Sequence, residues 1–448
     1  MTGRNGHPLT SSREVAVQTL DAFRCRGAWS DGYLKRMLRE NRLDRREAAL
    51  ATRLCYGVLQ NQMLLDWHLR RFSKLPLEKL EGKVLCILRV AVYQMLFMDR
   101  IPSSAAVNEA VNQARVHSRN PKTAGMVNGI LRSMLRQMPL PQPEERDEID
   151  TLAVRTSHPR WLVEQISNRL GLEEAGALLA ANNLDAPITA QVNLCRISVQ
   201  ELQKRLGEEG ATARPHPWMP GCLTLDHTGN LESLSTFQDG LFYVQDCAAR
   251  LAVSAAGLKP GDRVLDCCAA PGGKTFAAAV DLEDRGLVIC CDIHPHKVKL
   301  IEAGKSRLKL DSPHPMLQDA SQLRPEWAEQ FDAVIADVPC SGLGIIRKKP
   351  DIRYKDPESL AGLPAIQGRI LDCNAAYVRK GGVLIYSTCT LLQRENEDVV
   401  SGFLTAHPDF SLEAFELPYW GRQEGMMTLW PHIHGTDGFF IAKLRREG

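Results

Sequence analysis

No stretch of this 448-residue chain is both apolar enough and long enough to cross a bilayer. The longest apolar run, VLCILRVAVYQMLFM at 84–98, falls short of the roughly 20 residues that a span requires, and it carries Arg89 and Gln94. A buried amphipathic helix is expected there. The opening MTGRNGHPLTSSREV has no apolar core, so a secretory signal is not expected. Without export, the 13 cysteines, an odd number, read as reduced thiols in the cytoplasm. No C-x-x-C or H-x-x-x-H pair occurs. The adjacent pairs Cys267–Cys268 and Cys290–Cys291 fall on expected strands, where neighbours face opposite sides, so they read as core packing rather than metal ligands. Neither G-x-x-x-x-G-K-[ST] nor G-x-G-x-x-G is present, which argues against a triphosphate-binding loop and a nicotinamide dehydrogenase.

Net charge is also nearly absent, at +2, but it is unevenly spread. Residues 1–140 hold 23 Lys+Arg against 11 Asp+Glu, a surplus of twelve, which leaves the remainder at −10. A basic first third suits a polyanionic partner, nucleic acid foremost; a merely solvated helical surface is the alternative. With 44% apolar and 24% charged residues the chain can bury full cores, and its length suits two or three domains.

Residues 12–137 read as consecutive helices, starting behind Ser11 and Ser12 and punctuated by Pro76, Pro102 and Asn120–Pro121. This gives an all-α domain over 1–140. PLPQPEERDEID is a linker. Residues 151–240 mix helical and strand patterns, so a small α+β module is expected. From 241 to 448 strands and helices alternate: RVLDCCA, GGKTFAAAVDL, GLVICCD, HPHKVKLIEAGKSRL, PMLQDA, FDAVIAD and GGVLIYS, closing on a hairpin of FSLEAFELP with GFFIAKLR. That rhythm argues for a doubly wound α/β sheet.

Three features meet at one rim of that sheet. AAPGGKT joins the first strand to a helix, where glycines permit close backbone approach and the helix N-terminus offers free N–H groups. Asp292 ends the next strand, placed to accept from ribose hydroxyls, and Asp319 ends the third, placed for an adenine edge. Each Asp alone could equally be a helix cap; at successive strand ends they favour a nucleoside-bearing cofactor. Cys340 in DVPCSG and Cys389 in YSTCT follow two further strands, at the edge where ligands bind.

DCCAAPGGKT, DVPCSG and YSTCT resemble, in order and spacing, the motifs of RNA cytosine-C5 methyltransferases; FYVQDCAARL resembles the segment before their first strand. The helical front is similar to the NusB fold. Together they resemble the ribosomal RNA small subunit methyltransferase B family, over nearly the whole chain. The resemblance implies a Rossmann-like class I methyltransferase domain and S-adenosylmethionine, held by Cys268, Ala269, Ala270, Pro271, Gly272, Gly273, Lys274, Asp292, Asp319 and Asp337. It implies Cys389 as nucleophile, Cys340 as the residue assisting product release, and Asp337 at the base's N3/N4 edge. The implied substrate is 16S rRNA, with transfer RNA as the rival; no membrane partner or metal and a monomeric state are expected.

Two thiols fit such a reaction. Cytosine C5 is a poor nucleophile until a thiolate adds to C6, which splits one hard step into easier ones. A base must leave its stack to reach a thiol, so single-stranded or loop RNA is expected, with Tyr354 as one stacking candidate. The loop after Cys340 carries Arg347, Lys348, Lys349 and Arg353, expected to hold RNA phosphates unless simply solvated. Against these readings stand a non-catalytic RNA-binding assembly factor, which would predict degenerate cysteines, and a nicotinamide enzyme, which leaves two rim thiols without a role.

Overall fold

The computed structural model describes residues 11–26 and 30–448; residues 1–10, part of the segment read above for a signal, lie outside them. The chain forms two compact units. One comprises residues up to 183 together with 349–355, the other 184–348 and 356–448.

The first unit is helical: α1 (Ser12–Arg26), α2 (Ser30–Asn41), α3 (Arg45–Phe72), α4 (Gly82–Phe97), α5 (Ser103–His117), α6 (Thr123–Arg136), α7 (Glu148–Thr156), α8 (Arg160–Leu170) and α9 (Leu172–Ala181). Ser11 caps α1, its Oγ accepting from the Glu14 amide at 3.2 Å, and Asp44 caps α3. The run at 84–98 becomes α4, buried on every side from Val84 to Met95 and so a central rather than an amphipathic helix. Its polar side chains are satisfied internally. Arg89 grips Asp66 through two bonds of 2.8 and 2.7 Å, and Gln94 accepts from Arg13 at 2.8 Å. No helix among the described residues is long and apolar enough to cross a membrane.

Helices α7–α9 group with this unit, although most of their residues fall within the module expected over 151–240. They are tied down through α3, whose Met63 amide donates to Ser157 Oγ at 2.7 Å. The unit is completed by a short 3₁₀ turn at Pro350–Tyr354. There Arg353 is fully buried, and its Nη1 donates to the carbonyls of Gln60 and Ser157 at 3.0 and 3.1 Å. Ser157 is the left-handed C-cap of α7, so a cation here satisfies orphan carbonyls and suits the helix dipole. Tyr354 Oη donates to Leu59 O at 2.8 Å. Two residues expected to face RNA are therefore interior parts of a helical core.

The second unit opens with β1 (Ile188–Val192), α10 (Val199–Glu208), β2 (Thr212–Pro215), β3 (Cys222–Asp226), α11 (Ser235–Gln238) and β4 (Phe242–Val244), the strands forming a sheet of order β2-β3-β1-β4, every pair antiparallel. Then follow α12 (Cys247–Ala256), β5 (Arg263–Asp266), α13 (Gly273–Asp281), β6 (Leu287–Asp292), α14 (Pro295–Leu308), β7 (Pro313–Leu317), β8 (Phe331–Asp337), α15 (Leu363–Ala375), β9 (Val378–Thr388), α16 (Glu397–Ala406), β10 (Phe410–Leu412), β11 (Phe415–Leu417), β12 (Gly421–Gln423), β13 (Met426–Leu429), α17 (Pro431–His434) and β14 (Phe439–Arg446). The main sheet runs β10-β14-β9-β8-β5-β6-β7, with β13 also on β14. Its five strands from β7 to β9 are parallel and β14 is antiparallel. The expected closing hairpin is partly right: β10 pairs with β14, but β14 inserts between β10 and β9, and β11 turns back on β12 instead.

Both faces of the sheet are buried, and successive residues alternate between two cores. Cys290, Ile335, Ile385 and Ile441 fall on one side; Cys291, Val334, Leu384 and Phe440 fall on the other. Cys267 and Cys268 do not alternate, since their sulfurs lie 3.9 Å apart. Strand β5 has already ended at Asp266, and with it the two-residue period.

Candidate active site

Strand order reverses at β5, whose neighbours are β6 and β8, so a crevice opens beyond the carboxyl ends of these strands. The turn Cys268–Lys274 leaves β5 there. The Ala269 amide donates to Cys291 O at 2.8 Å, which pins the turn to β6. Gly272 has φ +114°, and a Cβ on it would lie 2.4 Å from the Phe276 ring, so a side chain there is strained and must displace that ring. No side chain caps α13, leaving its first N–H groups to an acceptor from outside. Beneath the turn, Thr275 Oγ1 donates to Asp266 Oδ2 at 2.7 Å. Asp266 is fully buried, and burial pushes its carboxyl up to about 7.

Asp292 sits at the end of β6, almost wholly buried, with Oδ1 accepting from the His294 amide at 2.9 Å and Oδ2 3.6 Å from Lys297 Nζ. Asp319 lies two residues beyond β7, where Oδ1 takes Ser321 N and Oγ at 2.9 and 2.7 Å and Oδ2 takes Gln322 at 3.2 Å. The hydrogen bonds from Ser321 hold its carboxyl below the usual range. Neither acid caps a helix: α14 is capped at His294 without a side-chain bond, and the Asp319 bonds stay within its own turn. Asp292 leaves room for a further partner, while Asp319 is heavily engaged by its own turn.

The two thiols come together. Cys340 follows β8 and Cys389 follows β9, both part-exposed, with sulfurs 3.1 Å apart. The parallel register of β8 and β9, which sets Asp337 opposite Ser387, carries both cysteines to the same height. Asp337 is held from two sides, by Ser387 Oγ at 2.9 Å and by Lys274 Nζ at 2.7 Å. The glycine-rich turn and the thiol pair are therefore bridged by one ion pair. The hydrogen bond to Cys389, with burial, raises the Cys340 thiol well above its ordinary value.

The basic loop is different from expectation. Lys348 Nζ lies 2.7 Å from both Asp246 and Asp437, carboxylates that are themselves buried. Arg347 donates to Gly435 O at 3.0 Å and lies 3.5 Å from Asp437. With Arg353 interior, Lys349 alone of the four expected phosphate ligands is exposed. Burial away from water requires an opposite charge or hydrogen-bonding partner, and these residues already have theirs.

Sequence reading missed the polar layer under the thiols. Glu395, fully buried, accepts from Ser341 N and Gln367 Nε2, both at 2.9 Å. Ser341 Oγ meets Thr390 Oγ1 at 2.6 Å. Asn396 bonds Thr388 Oγ1 and Thr390 O. The only signal was the dipeptide Glu395–Asn396 six residues after Cys389, polar where a helix was about to start. Gly344 was also unremarked. Its amide donates to Cys389 O at 2.9 Å, and a Cβ there would strike Gly438 O at 1.9 Å.

Comparison with known proteins agrees with this geometry. Residues 254–445 match the family model described as 16S rRNA methyltransferase RsmB/F, residues 10–136 the NusB family, and residues 158–232 a RsmF/B-like ferredoxin-like domain. A solved structure named PH0851 shares 26% identity over 97% of this chain and 98% of its own, with a TM-score of 0.80. A probable ribosomal RNA small subunit methyltransferase B from Synechocystis is 32% identical over 98% of this chain and all of its own length. One from Bacillus subtilis is 37% identical over 98% of this chain and 99% of its own. With the three domains in order and the likeness running end to end, the chain belongs to the ribosomal RNA small subunit methyltransferase B family.

Proposed function

We propose that this protein methylates C5 of a cytosine in 16S rRNA through a covalent bond between Cys389 and C6 of the base. The observation that carries this reading is the 3.1 Å approach of Cys389 to Cys340 beside the Lys274–Asp337 pair. S-adenosylmethionine suits the turn, whose glycine cradle would be filled by any Cβ and whose helix start lacks a cap. Cys268–Lys274 and Asp292 would hold it, with Asp319 beyond β7. When bound it supplies an electrophilic methyl group.

The chain's own residues do the rest. Cys389 adds to C6 as thiolate, which makes C5 electron-rich. Asp337, fixed by Ser387 and Lys274, offers a carboxylate to the N3/N4 edge of the ring. Once C5 is substituted, its proton passes to solvent and the freed C–H electron pair reforms the C5–C6 double bond, expelling Cys389 as thiolate; Cys340 assists this release. Binding an extruded base suits single-stranded or loop RNA.

The test is methyl transfer from labelled S-adenosylmethionine to unmodified 16S rRNA, with bulk transfer RNA in parallel and mapping of the modified base. Label at C5 of one 16S cytosine is the expected result. Label only in transfer RNA would overturn the substrate and keep the chemistry.

A further inference from the structure

The two cysteines cannot be equivalent. Sulfurs 3.1 Å apart share one hydrogen bond, so one is the donor and the other the acceptor. Two thiolates at that distance would repel, and one thiolate is enough for attack. Something in the fold must decide which sulfur keeps its proton.

The titratable groups around Cys340 are Cys389, Glu395, Tyr386 and Asp337, of which Tyr386 is a buried phenol and Asp337 is paired with Lys274. Of the two carboxylates, only Glu395 is fully buried and, among the described residues, without a cation in ion-pair range. Its Oε2 receives the amide of Ser341, the residue after Cys340, and the Gln367 amide. Gln367 in turn holds the carbonyl of Pro339, the residue before Cys340, at 3.0 Å. The Glu395 carbonyl accepts from the buried Tyr386 Oη. Its Oε1 is buried with no hydrogen-bond partner. The Cys340 turn is therefore gripped on both sides by this one carboxylate. The Cys389 turn is held instead by neutral groups, Asn396, Ser341 and Gly344.

We propose that Glu395 is a positioning residue that holds Cys340 as the S–H donor of the thiol pair, leaving Cys389 as the attacking sulfur. Negative charge beside Cys340 disfavours its thiolate. A fixed S–H pointing at Cys389 favours the thiolate there, which supplies the local activation that a thiol needs near neutral pH. This rests on the functional reading above for the roles of the two cysteines, but its test does not require methylation of any RNA.

The test is alkylation of the full-length protein by iodoacetamide across a pH series, with Cys340 and Cys389 read separately by peptide mass spectrometry. In the wild type Cys389 is expected to react with the lower pH midpoint; a Cys340 midpoint equal to or below it would overturn the proposal, and this arm needs no variant. Glu395→Gln keeps an oxygen for the Ser341 amide and removes the charge. It should lower the Cys340 midpoint by about a unit, speeding its alkylation near neutral pH about threefold once the weaker nucleophilicity of a more acidic thiol is counted. A purely structural Glu395 would leave both midpoints in place, and that result also overturns the proposal. Methylation failing while the midpoints behave as described would count against the functional reading alone.

Discussion

At the scale of single residues the site separates its chemistry cleanly enough to be tested one side chain at a time. Cys389→Ala should abolish methyl transfer, by at least about a thousandfold given what a lost nucleophile costs, while cofactor binding measured by calorimetry stays intact. Cys340→Ala should instead trap a protein–RNA adduct visible on a denaturing gel, and its absence would remove the release role. Asp266 makes a pH prediction. Its folded value, raised from 3.8 to about 7 chiefly by burial, lies above the unfolded one. Its contribution to stability is therefore fully present below about pH 4 and is lost as pH rises through 7. Asp266→Asn keeps an acceptor for Thr275 and cannot ionise. Relative to wild type it should gain stability between pH 5 and 8 by roughly 2–3 kcal/mol, the part of a three-unit shift that falls in that window. Melting temperatures that differ equally at both pH values would contradict this.

At the scale of elements, the strand-to-turn junctions do the positioning. Gly272→Ala would force a methyl into the Phe276 ring at a positive φ, and should weaken cofactor affinity more than tenfold with the fold otherwise kept; retained affinity would show that the turn tolerates a Cβ. These junctions were legible in the sequence. Apolar runs of strand length, ended by Gly, Pro or Cys, fix where each strand stops, and parallel order follows from the helices between them. So Asp292, Cys340 and Cys389 were found at the strand ends where the structure has them. What could not be read was the partner of a charge. Lys348 answers to Asp246 and Asp437, 102 and 89 positions away, and Arg353 to a helix cap nearly two hundred residues upstream. A cluster of basic residues looks the same in one dimension whether it faces solvent or a buried carboxylate. Glu395 was missed for the converse reason, since an acid after a strand is usually solvated and only its partners reveal that it is buried.

At the scale of the whole molecule, the helical unit is discontinuous in sequence. Residues 349–355 complete it, with Arg353 and Tyr354 filling positions against α3 and the end of α7. A chain cut to residues 1–183 should therefore melt several degrees lower than the same fragment carrying 349–355 on a flexible linker, as followed by circular dichroism. Equal melting would mean the segment adds nothing. Deleting residues 1–140 to test RNA binding would confuse the loss of basic surface with the exposure of this segment's apolar and buried-charge contacts.

The interrupted unit also has a consequence in time. Chain emerges from a ribosome at roughly 5–20 residues per second, and domains closed within one stretch of sequence fold as they appear. Here the first unit to be made waits for residue 355 before its last pieces arrive, a delay of roughly 10 to 30 s at those rates. During that interval the carbonyls at the end of α7 and the wall of α3 stand open. A pause or a rare codon between 183 and 349 would lengthen the period in which the nascent helices can meet the wrong partner.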